Sequence, residues 1–379
     1  MNLVVDENIS FGQEAFSQFG NVKLLHGRKI INEELKNADV LIVRSITKVN
    51  KELLENTPVK FVGTATIGTD HIDLEYLNSR GIYFKDAAGC NADAVTEYVF
   101  TSILNFAVDN SFSIEGQSIG VIGIGNIGSR ISRLAEWLGM DVLKNDPPQQ
   151  RKTGDQDYVS LEEALRADII TFHVPLNLDG IDKTFHLIDE RKLSTLREKQ
   201  IIINASRGQV IDNPVLLKFI SEKNLLVNLD VWENEPAINV NLLNWVHLAS
   251  PHIAGYSLEG KINGTVIIYK ALCNFLNAAA TWSPFLPEVQ NNEIKINYDG
   301  NLTKTLHEIF NSVYPIKEDD SRMRAMKNMK DKDRAAYFDK LRKEYPLRRE
   351  FKNYKVTLSN ADEKIVNALR KFRFYVEAN

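Results

Sequence analysis

The chain has 379 residues, of which 44% are hydrophobic and 25% charged, and its formal net charge is −4. This length exceeds one typical domain, the composition is that of a globular protein, and the charge gives no reason to expect nucleic acid as a partner. Two cysteines without metal-ligand spacing argue against a disulfide framework or a metal site. The first residues lack the pattern of a signal peptide, and no apolar run is long enough to span a bilayer. We therefore expect a cytoplasmic protein.

Short apolar runs alternate with amphipathic stretches as far as Leu276, which predicts two α/β units built on parallel sheets. In the first unit the expected strands begin with Val4-Val5 and continue at 22–25, 40–43, 61–62 and 82–84. Helices are expected between them, at 50–55 and 73–79. The order of elements favours a sheet in which each strand is followed by a crossover helix.

A longer helix is predicted at 93–109, because Val95, Val99, Ile103 and Phe106 recur at a spacing of three or four residues. It would lead into the second unit, whose strands are expected at 118–122, 141–145, 168–172, 200–204, 225–230 and 246–249. A last helix at 258–276 would return the chain to the first unit.

The character of the sequence changes after residue 282. Pro284 and Pro287 precede a polar stretch, as at a domain boundary. Between 321 and 350 there are 11 Lys or Arg and 5 Asp or Glu, hence 11 − 5 = +6. We therefore predict a separate C-terminal domain with a basic block, for which a solvated surface is as good an explanation as a functional role.

A glycine motif, Gly123-Ile124-Gly125-Asn126-Ile127-Gly128, lies between an expected strand and an expected helix. The first glycine permits a tight turn, the second lets backbone N–H groups approach a pyrophosphate, and the third lets the helix pack close to the strand. Asp146 ends the next strand, where a carboxylate can accept hydrogen bonds from a ribose and repel a 2′-phosphate. The motif predicts NAD binding; the alternative is a glycine-rich turn with an incidental aspartate.

Three further segments follow expected strands and carry Arg207, Glu235 and His252. An arginine at a strand end can hold a carboxylate in a two-bond fork, although arginines in surface turns are more common in general. A carboxylate bonded to an imidazole fixes its tautomer and stabilises its protonated form, as an acid/base catalyst requires. His71 is the second candidate for the histidine role. The remaining histidines lack such a constellation: His26, His173, His186, His247 and His307.

These four segments, in this order, resemble the D-2-hydroxyacid dehydrogenase family. The resemblance implies that Arg207, Glu235 and His252 are the catalytic residues. It implies that NAD is bound by Gly123, Gly125, Asn126, Ile127, Gly128, Asp146, Val174, Ser206, Asp230 and Gly255. Asp230 would contact the nicotinamide end, and Val174 departs from the threonine expected at its position.

The family's fold implies two Rossmann-like, doubly wound α/β domains. Residues 1–93 and 256–282 would form a discontinuous substrate domain, and residues 94–255 the NAD-binding domain. Residues 283–379 would form an α+β dimerisation domain, so that a homodimer is expected.

Segments 4–8, 43–50 and 252–261 are similar to one branch of the family, which oxidises a phosphorylated four-carbon 2-hydroxy acid on the route to pyridoxal 5′-phosphate. Ser45, Thr66 and Tyr256 would then contact the substrate. We also hypothesise that Arg44, with Arg348 or Arg349 in the dimer, binds its phosphate. Two alternatives stay open: a dehydrogenase for another 2-hydroxy acid such as 3-phosphoglycerate, and an NAD-sensing corepressor of the same fold.

Overall fold

The computed structural model describes residues 1–378, which form two compact units, each made of two stretches of chain. The first unit contains Met1–Asn91 and Ser257–Glu288, and the second contains Ala92–Tyr256 and the residues from Val289 onward. Among the described helices, none is long and apolar enough to cross a membrane.

In the described residues the strands are β1 Asn2–Asp6, β2 Asn21–Leu25, β3 Val40–Val43, β4 Phe61–Thr64, β5 Tyr83–Asp86, β6 Ser118–Ile122, β7 Asp141–Asn145, β8 Ile169–Phe172, β9 Ile201–Asn204, β10 Leu226–Leu229, β11 Leu248–Ala249, β12 Glu293–Asn297, β13 Lys355–Ser359 and β14 Tyr375–Ala378. The helices are α1 Gly12–Phe16, α2 Lys51–Leu54, α3 Leu74–Ser79, α4 Ala92–Asp109, α5 Gly128–Trp137, α6 Pro147–Thr153, α7 Leu161–Ala164, α8 Glu190–Thr195, α9 Asn213–Glu222, α10 Val240–Trp245, α11 Leu258–Leu276, α12 Leu302–Val313, α13 Ile316–Arg324, α14 Asp331–Lys343 and α15 Glu363–Lys371.

The first unit is built on a parallel sheet with strand order β2-β1-β3-β4-β5. Every residue of β3 and β4 is buried, as expected for central strands of a parallel sheet that is covered on both faces. Helix α11 supplies Ile268, Tyr269 and Leu272 to the core beside β4. The predicted return of the chain through a helix at 258–276 is confirmed.

The second unit contains a six-stranded parallel sheet with order β11-β10-β9-β8-β6-β7. The predicted α/β class with two doubly wound sheets is confirmed. The order reverses beside β6, since β7 lies on one side of it and β8 on the other. Ligands of open α/β sheets bind outside the carboxyl ends of the strands at such a switch point. The glycine motif begins one residue after β6 ends, at this position.

The C-terminal segment adds a three-stranded parallel sheet, in the order β12-β13-β14, with helices around it. Although the sequence predicts a separate domain here, the segment shares one apolar core with α4. Phe372 packs edge-on against Phe100 of α4 at 4.9 Å between ring centroids, and against Phe310 of α12 at 4.8 Å. The segment therefore completes the second unit.

Arg348 ties this segment to the rest of the second unit. Its side chain is buried, and its two terminal nitrogens donate to the carbonyl oxygens of Ala254 at 3.0 Å and Ala94 at 2.7 Å. The guanidinium carbon lies 3.9 Å from the ring centroid of Tyr314, and a terminal nitrogen lies 3.7 Å from the carboxylate of Glu97. A cation with these partners connects α4, the loop after β11 and the C-terminal segment.

The hypothesis that Arg348 or Arg349 binds the substrate's phosphate does not agree with this placement. Both side chains are buried, at 6% and 7% exposure. The guanidinium of Arg348 is used inside its own chain, and that of Arg349 donates to Asn353 at 3.0 Å. We therefore assign Arg348 a structural role.

Replacing Arg348 with methionine should destabilise the second unit. Two buried carbonyl groups would lose their donors and Glu97 would lose a neighbouring cation, so we expect the free energy of unfolding to fall by about 3 kcal/mol. Lys317→Met is the matched control, because Lys317 also joins the C-terminal segment to α4, through an exposed ion pair with Asp109. The Lys317→Met variant should change the free energy of unfolding by less than about 0.5 kcal/mol. Both variants are measured by urea titration. Equal losses in the two variants would contradict the role given to Arg348.

Candidate active site

The glycine turn after β6 needs glycine at two positions for reasons of packing. Gly123 has a φ of 92°, and a Cβ there would lie 2.8 Å from the carbonyl of His173. A Cβ on Gly128 would lie 1.9 Å from the carbonyl oxygen of Gly123. By contrast, a Cβ on Gly125 would meet no described atom within 4 Å, and Gly125 and Asn126 are exposed. The turn therefore presents open backbone at the switch point, with α5 beginning directly behind it.

Asp146 lies beside this turn, at the carboxyl end of β7. One carboxylate oxygen accepts from the backbone N–H of Ile124 at 2.7 Å, and the other accepts from that of Gln149 at 2.9 Å. The aspartate thus caps α6 and holds the turn, while each oxygen keeps a lone pair for a further donor. Open glycine backbone, a helix N-terminus and a carboxylate at the next strand end are the groups that a dinucleotide with a free ribose 2′-hydroxyl requires. These residues fit NAD.

Val174 and His173 follow β8, on the other side of the switch point. The Cγ1 atom of Val174 lies next to Gly123, where a Cβ would approach it to 2.9 Å, so this side chain packs on the glycine turn. His173 is partly buried, and desolvation of its ring lowers its pKa to about 3. Its Nε2 atom lies 2.8 Å from the hydroxyl of Thr171, which keeps the ring beside β8.

Asp230 lies under the loop that follows β11. It is 1% exposed; one oxygen accepts from the hydroxyl of Ser250 at 2.5 Å and from the N–H of Ile253 at 2.8 Å, and the other accepts from the N–H of Ala254 at 3.0 Å. Burial raises the pKa of Asp230. The sequence predicts that Asp230 contacts the cofactor; in the structure its carboxylate also holds the loop, and Oδ2 keeps a lone pair for a further donor. Its bonds fix the loop on both sides of His252, through Ser250 before it and Ile253 and Ala254 after it.

His252 and Glu235 form a hydrogen-bonded pair. The His252 Nδ1 atom lies 2.8 Å from Oε2 of Glu235. The other carboxylate oxygen, Oε1, accepts from the backbone N–H of Trp232 at 2.8 Å. Burial would raise the pKa of Glu235, but His252, the Trp232 N–H and the charge of Arg342 outweigh it, so the pKa is lowered. An ionised glutamate at Nδ1 leaves Nε2 of the neutral imidazole as the basic nitrogen. With 35% of its side chain exposed, His252 can meet a substrate.

Arg207 follows β9, the strand next to β10. Its Nη1 atom donates to the carbonyl of Ser206 at 2.8 Å, and its own carbonyl accepts from the side chain of Asn204 at 2.9 Å. Gly208 was missed by the sequence analysis: a Cβ there would lie 2.0 Å from the carbonyl of Trp232. Only glycine permits this approach, which presses the arginine loop against the loop that carries Glu235. The three predicted catalytic residues thus follow three neighbouring strands, β9, β10 and β11, at one edge of the sheet.

The predicted substrate residues of the first unit follow β3 and β4. Thr66 Oγ1 lies 2.7 Å from Oγ1 of Thr64, which lies 3.1 Å from Nε2 of His71. Ser45 is exposed beside Arg44. Lys261, to which the sequence analysis assigned no role, is an exposed residue; partial desolvation of its amine, together with the nearby charge of Arg44, lowers its pKa. Two neighbouring cations are typical of an anion site.

A second histidine–carboxylate contact was also missed. The Nε2 atom of His186 lies 2.5 Å from Glu233, its Nδ1 atom lies 3.3 Å from Asp212, and its ring stacks on Phe185 at 4.1 Å. The partners are far from His186 in sequence, so no local motif could have shown this contact. The backbone N–H of His186 also donates to the carbonyl of Gln209. The loop of His186 is therefore joined both to the loop of Gly208 and to the loop of Glu233.

Comparisons with known proteins agree with this geometry. The family model described as "D-isomer specific 2-hydroxyacid dehydrogenase, NAD binding domain" matches residues 103–254, and a domain of unknown function matches residues 285–371. The erythronate-4-phosphate dehydrogenase of Proteus mirabilis is 45% identical over 95% of this chain and 96% of that protein. The enzyme of that name from Hahella chejuensis is 42% identical over 99% of both chains.

Solved structures show the same fold. The D-lactate dehydrogenase of Aquifex aeolicus, complexed with NAD and lactic acid, superposes with a TM-score of 0.62 and 26% identity, over 73% of this chain and 96% of that one. The NAD-bound 3-phosphoglycerate dehydrogenase of Entamoeba histolytica gives a TM-score of 0.62 at 23% identity, over 76% and 99%. The glycine turn, the strand-end trio and the full-length relatives lead to one conclusion: the chain is an NAD-dependent oxidoreductase that belongs to the erythronate-4-phosphate dehydrogenase family, within the D-isomer specific 2-hydroxyacid dehydrogenases.

Proposed function

We propose that the protein oxidises 4-phospho-D-erythronate to 3-hydroxy-2-oxo-4-phosphooxybutanoate with NAD, in the biosynthesis of pyridoxal 5′-phosphate. The observation that carries the proposal is the 2.8 Å contact between His252 and Glu235, on loops next to that of Arg207. The chain that holds this pair is 45% identical to an erythronate-4-phosphate dehydrogenase. A base with an orienting carboxylate is what removal of a hydroxyl proton requires.

His252 takes the proton of the C2 hydroxyl on Nε2, while Glu235 keeps the ring in one tautomer and stabilises the positive charge that develops on it. Trp232 fixes the carboxylate through its N–H. Arg207 binds the substrate carboxylate and steadies the oxygen at C2 as it becomes a carbonyl. NAD, when bound, supplies the acceptor for the hydride from C2.

Cofactor binding is assigned to the turn and its neighbours. The backbone of Gly125, Asn126 and Ile127 would hold the pyrophosphate, Asp146 would accept hydrogen bonds from the adenosine ribose, and Val174 and Ser206 would contact the cofactor as well. Gly123 and Gly128 act through packing, as their close approaches require. Asp230 and Gly255 would contact NAD as well, Asp230 at the nicotinamide end, and Asp230 also holds the loop of His252.

Substrate binding is assigned to Ser45, Thr66 and Tyr256, with Arg44 and Lys261 for the phosphate. The support for the two cations is their proximity, since a dianionic phosphate offsets the repulsion between them.

Residues 1–93 and 256–282 then form the substrate domain and 94–255 the NAD-binding domain. Residues 283–379 form the dimerisation domain, through which two copies of the chain make a homodimer. The enzyme works in the cytoplasm.

The purified protein should form NADH with 4-phospho-D-erythronate and much less with 3-phosphoglycerate. Both acids carry a carboxylate and a phosphate, so kcat/KM for the two, measured by NADH absorbance, decides between the related enzymes. The assay includes enzyme in excess over NAD, so that NADH retained on the protein is also counted. Equal or better use of 3-phosphoglycerate would overturn the substrate assignment. NAD binding without turnover of either acid would favour the corepressor.

His252→Ala should lower turnover by about 10²–10⁴-fold, the usual range for loss of a positioned general base. Affinity for NAD should persist, because the glycine turn lies at other strands. His307→Ala removes a histidine of α12, in the C-terminal segment, and serves as the control, with turnover expected within a few-fold of wild type. If His252→Ala kept near-normal turnover, the base would be another group, with His71 tested next.

Asp146→Ser should narrow the preference for NAD over NADP. Serine can still cap α6, but the charge that repels a 2′-phosphate is gone. The ratio of kcat/KM for the two cofactors measures the effect, and thermal unfolding checks that the turn remains folded. A wild-type enzyme that used both cofactors equally would show that Asp146 does not select NAD.

A further inference from the structure

Helix α14 brings a cation to the acid/base pair. Phe338 of this helix is fully buried in the same apolar cluster as Trp232. Arg342 follows four residues later, and residues at this spacing lie on the same helix face. The buried phenylalanine thus anchors α14 so that Arg342 points toward the loops after β10 and β11. On the same helix, Lys343 is exposed.

Two contacts define the position of Arg342. Its Nη2 atom donates to the hydroxyl of Tyr256 at 3.1 Å, and its guanidinium carbon lies 5.8 Å from the centroid of that ring. The ring of Tyr256 also packs edge-on against the ring of Tyr345, at 5.9 Å between centroids. Tyr256 is four residues beyond His252 on the loop held by Asp230. Arg342 therefore fixes the end of the catalytic loop.

The second partner of Arg342 is electrostatic. Burial would raise the pKa of Glu235, but His252, the backbone N–H of Trp232 and, as the smallest contribution, the charge of Arg342 together lower it. Arg342 is itself stabilised as a cation by Tyr256, Glu235 and Asp230, which outweigh its burial. A partly buried cation acts on a neighbouring carboxylate through a low-dielectric medium, so its effect is larger than that of an exposed one.

We propose that Arg342 is a positioning residue for the acid/base pair: through its hydrogen bond to Tyr256 it holds the end of the loop that carries His252. The inference rests on the proposed dehydrogenase function and extends it to the C-terminal segment. That segment, matched by a domain of unknown function, then serves the active site of its own chain.

The test compares Arg342→Met, Arg342→Lys and the control Lys343→Met. Methionine keeps the length and apolar character of the side chain without its charge, and Lys343 is a neighbouring exposed cation of the same helix. We expect kcat/KM for 4-phospho-D-erythronate to fall roughly 10–100-fold in Arg342→Met, the range for a lost hydrogen bond to a charged group. Arg342→Lys should recover part of this loss, and Lys343→Met should match wild type within twofold.

The pH profile separates an electrostatic role from a purely structural one. Loss of Arg342 removes a cation that opposes protonation of the His252–Glu235 pair, so the acidic limb of kcat/KM, which reports protonation of the pair, should move to higher pH in Arg342→Met and return toward wild type in Arg342→Lys. An unshifted limb, or a loss in Lys343→Met equal to that in Arg342→Met, would overturn the proposal. The NAD affinity of each variant is measured alongside and should be unchanged.

A variant in the partner residue covers the case in which Arg342→Met does not fold. Tyr256→Phe removes the hydroxyl that Arg342 binds, so Arg342→Lys should cost less in the Tyr256→Phe background than in wild type. Additive losses would contradict the contact. Wild-type enzyme with no activity toward the acid would instead refute the proposed function, which keeps the two failures distinguishable.

Discussion

The carboxylate of Asp230 accepts hydrogen bonds from the backbone N–H groups of Ile253 and Ala254 and from the hydroxyl of Ser250, and so fixes the loop that carries His252. His252 has a φ of 59°, in the left-handed region that costs a non-glycine residue roughly 1 kcal/mol. Three hydrogen bonds to one buried charge offset that cost. The direction of the imidazole relative to Glu235 depends on this arrangement, and the remaining contacts of the site are built around it.

Much of the fold and of the site could be predicted from the sequence. The buried strands are continuous apolar runs, the glycine turn has its strand and helix, and the three residues predicted to be catalytic follow three strand ends. The role of Asp230 could not be predicted, because an aspartate after a strand gives the same pattern whether it faces a ligand or a loop. The contact of His186 with Glu233 joins residues 47 positions apart and has no local signature.

The basic block shows the limits of composition most clearly. Its net charge suggests a solvated or anion-binding surface, yet Arg348 and Arg349 are buried. Arg348 lies beside Glu97, and Arg373, later in the chain, lies 3.2 Å from both Glu97 and Glu350. The positive charge is therefore partly an interior counterpart of acidic residues on α4 and on the C-terminal segment itself. Counting charges cannot separate these cases, since burial depends on the tertiary contacts of residues about 250 positions apart.

Both units combine an early and a late stretch of chain, and this affects how the protein emerges during synthesis. The core of strands β1 to β5 stays incomplete until α11 is synthesised, because α11 supplies Ile268 and Leu272 to it. At 5–20 residues per second, that delay is roughly 10–40 s. The apolar face of α4 waits longer, until Phe310 and Phe372 cover Phe100. During this interval the nascent chain exposes two incomplete apolar surfaces, and exposed surfaces of this kind make a folding chain prone to aggregation.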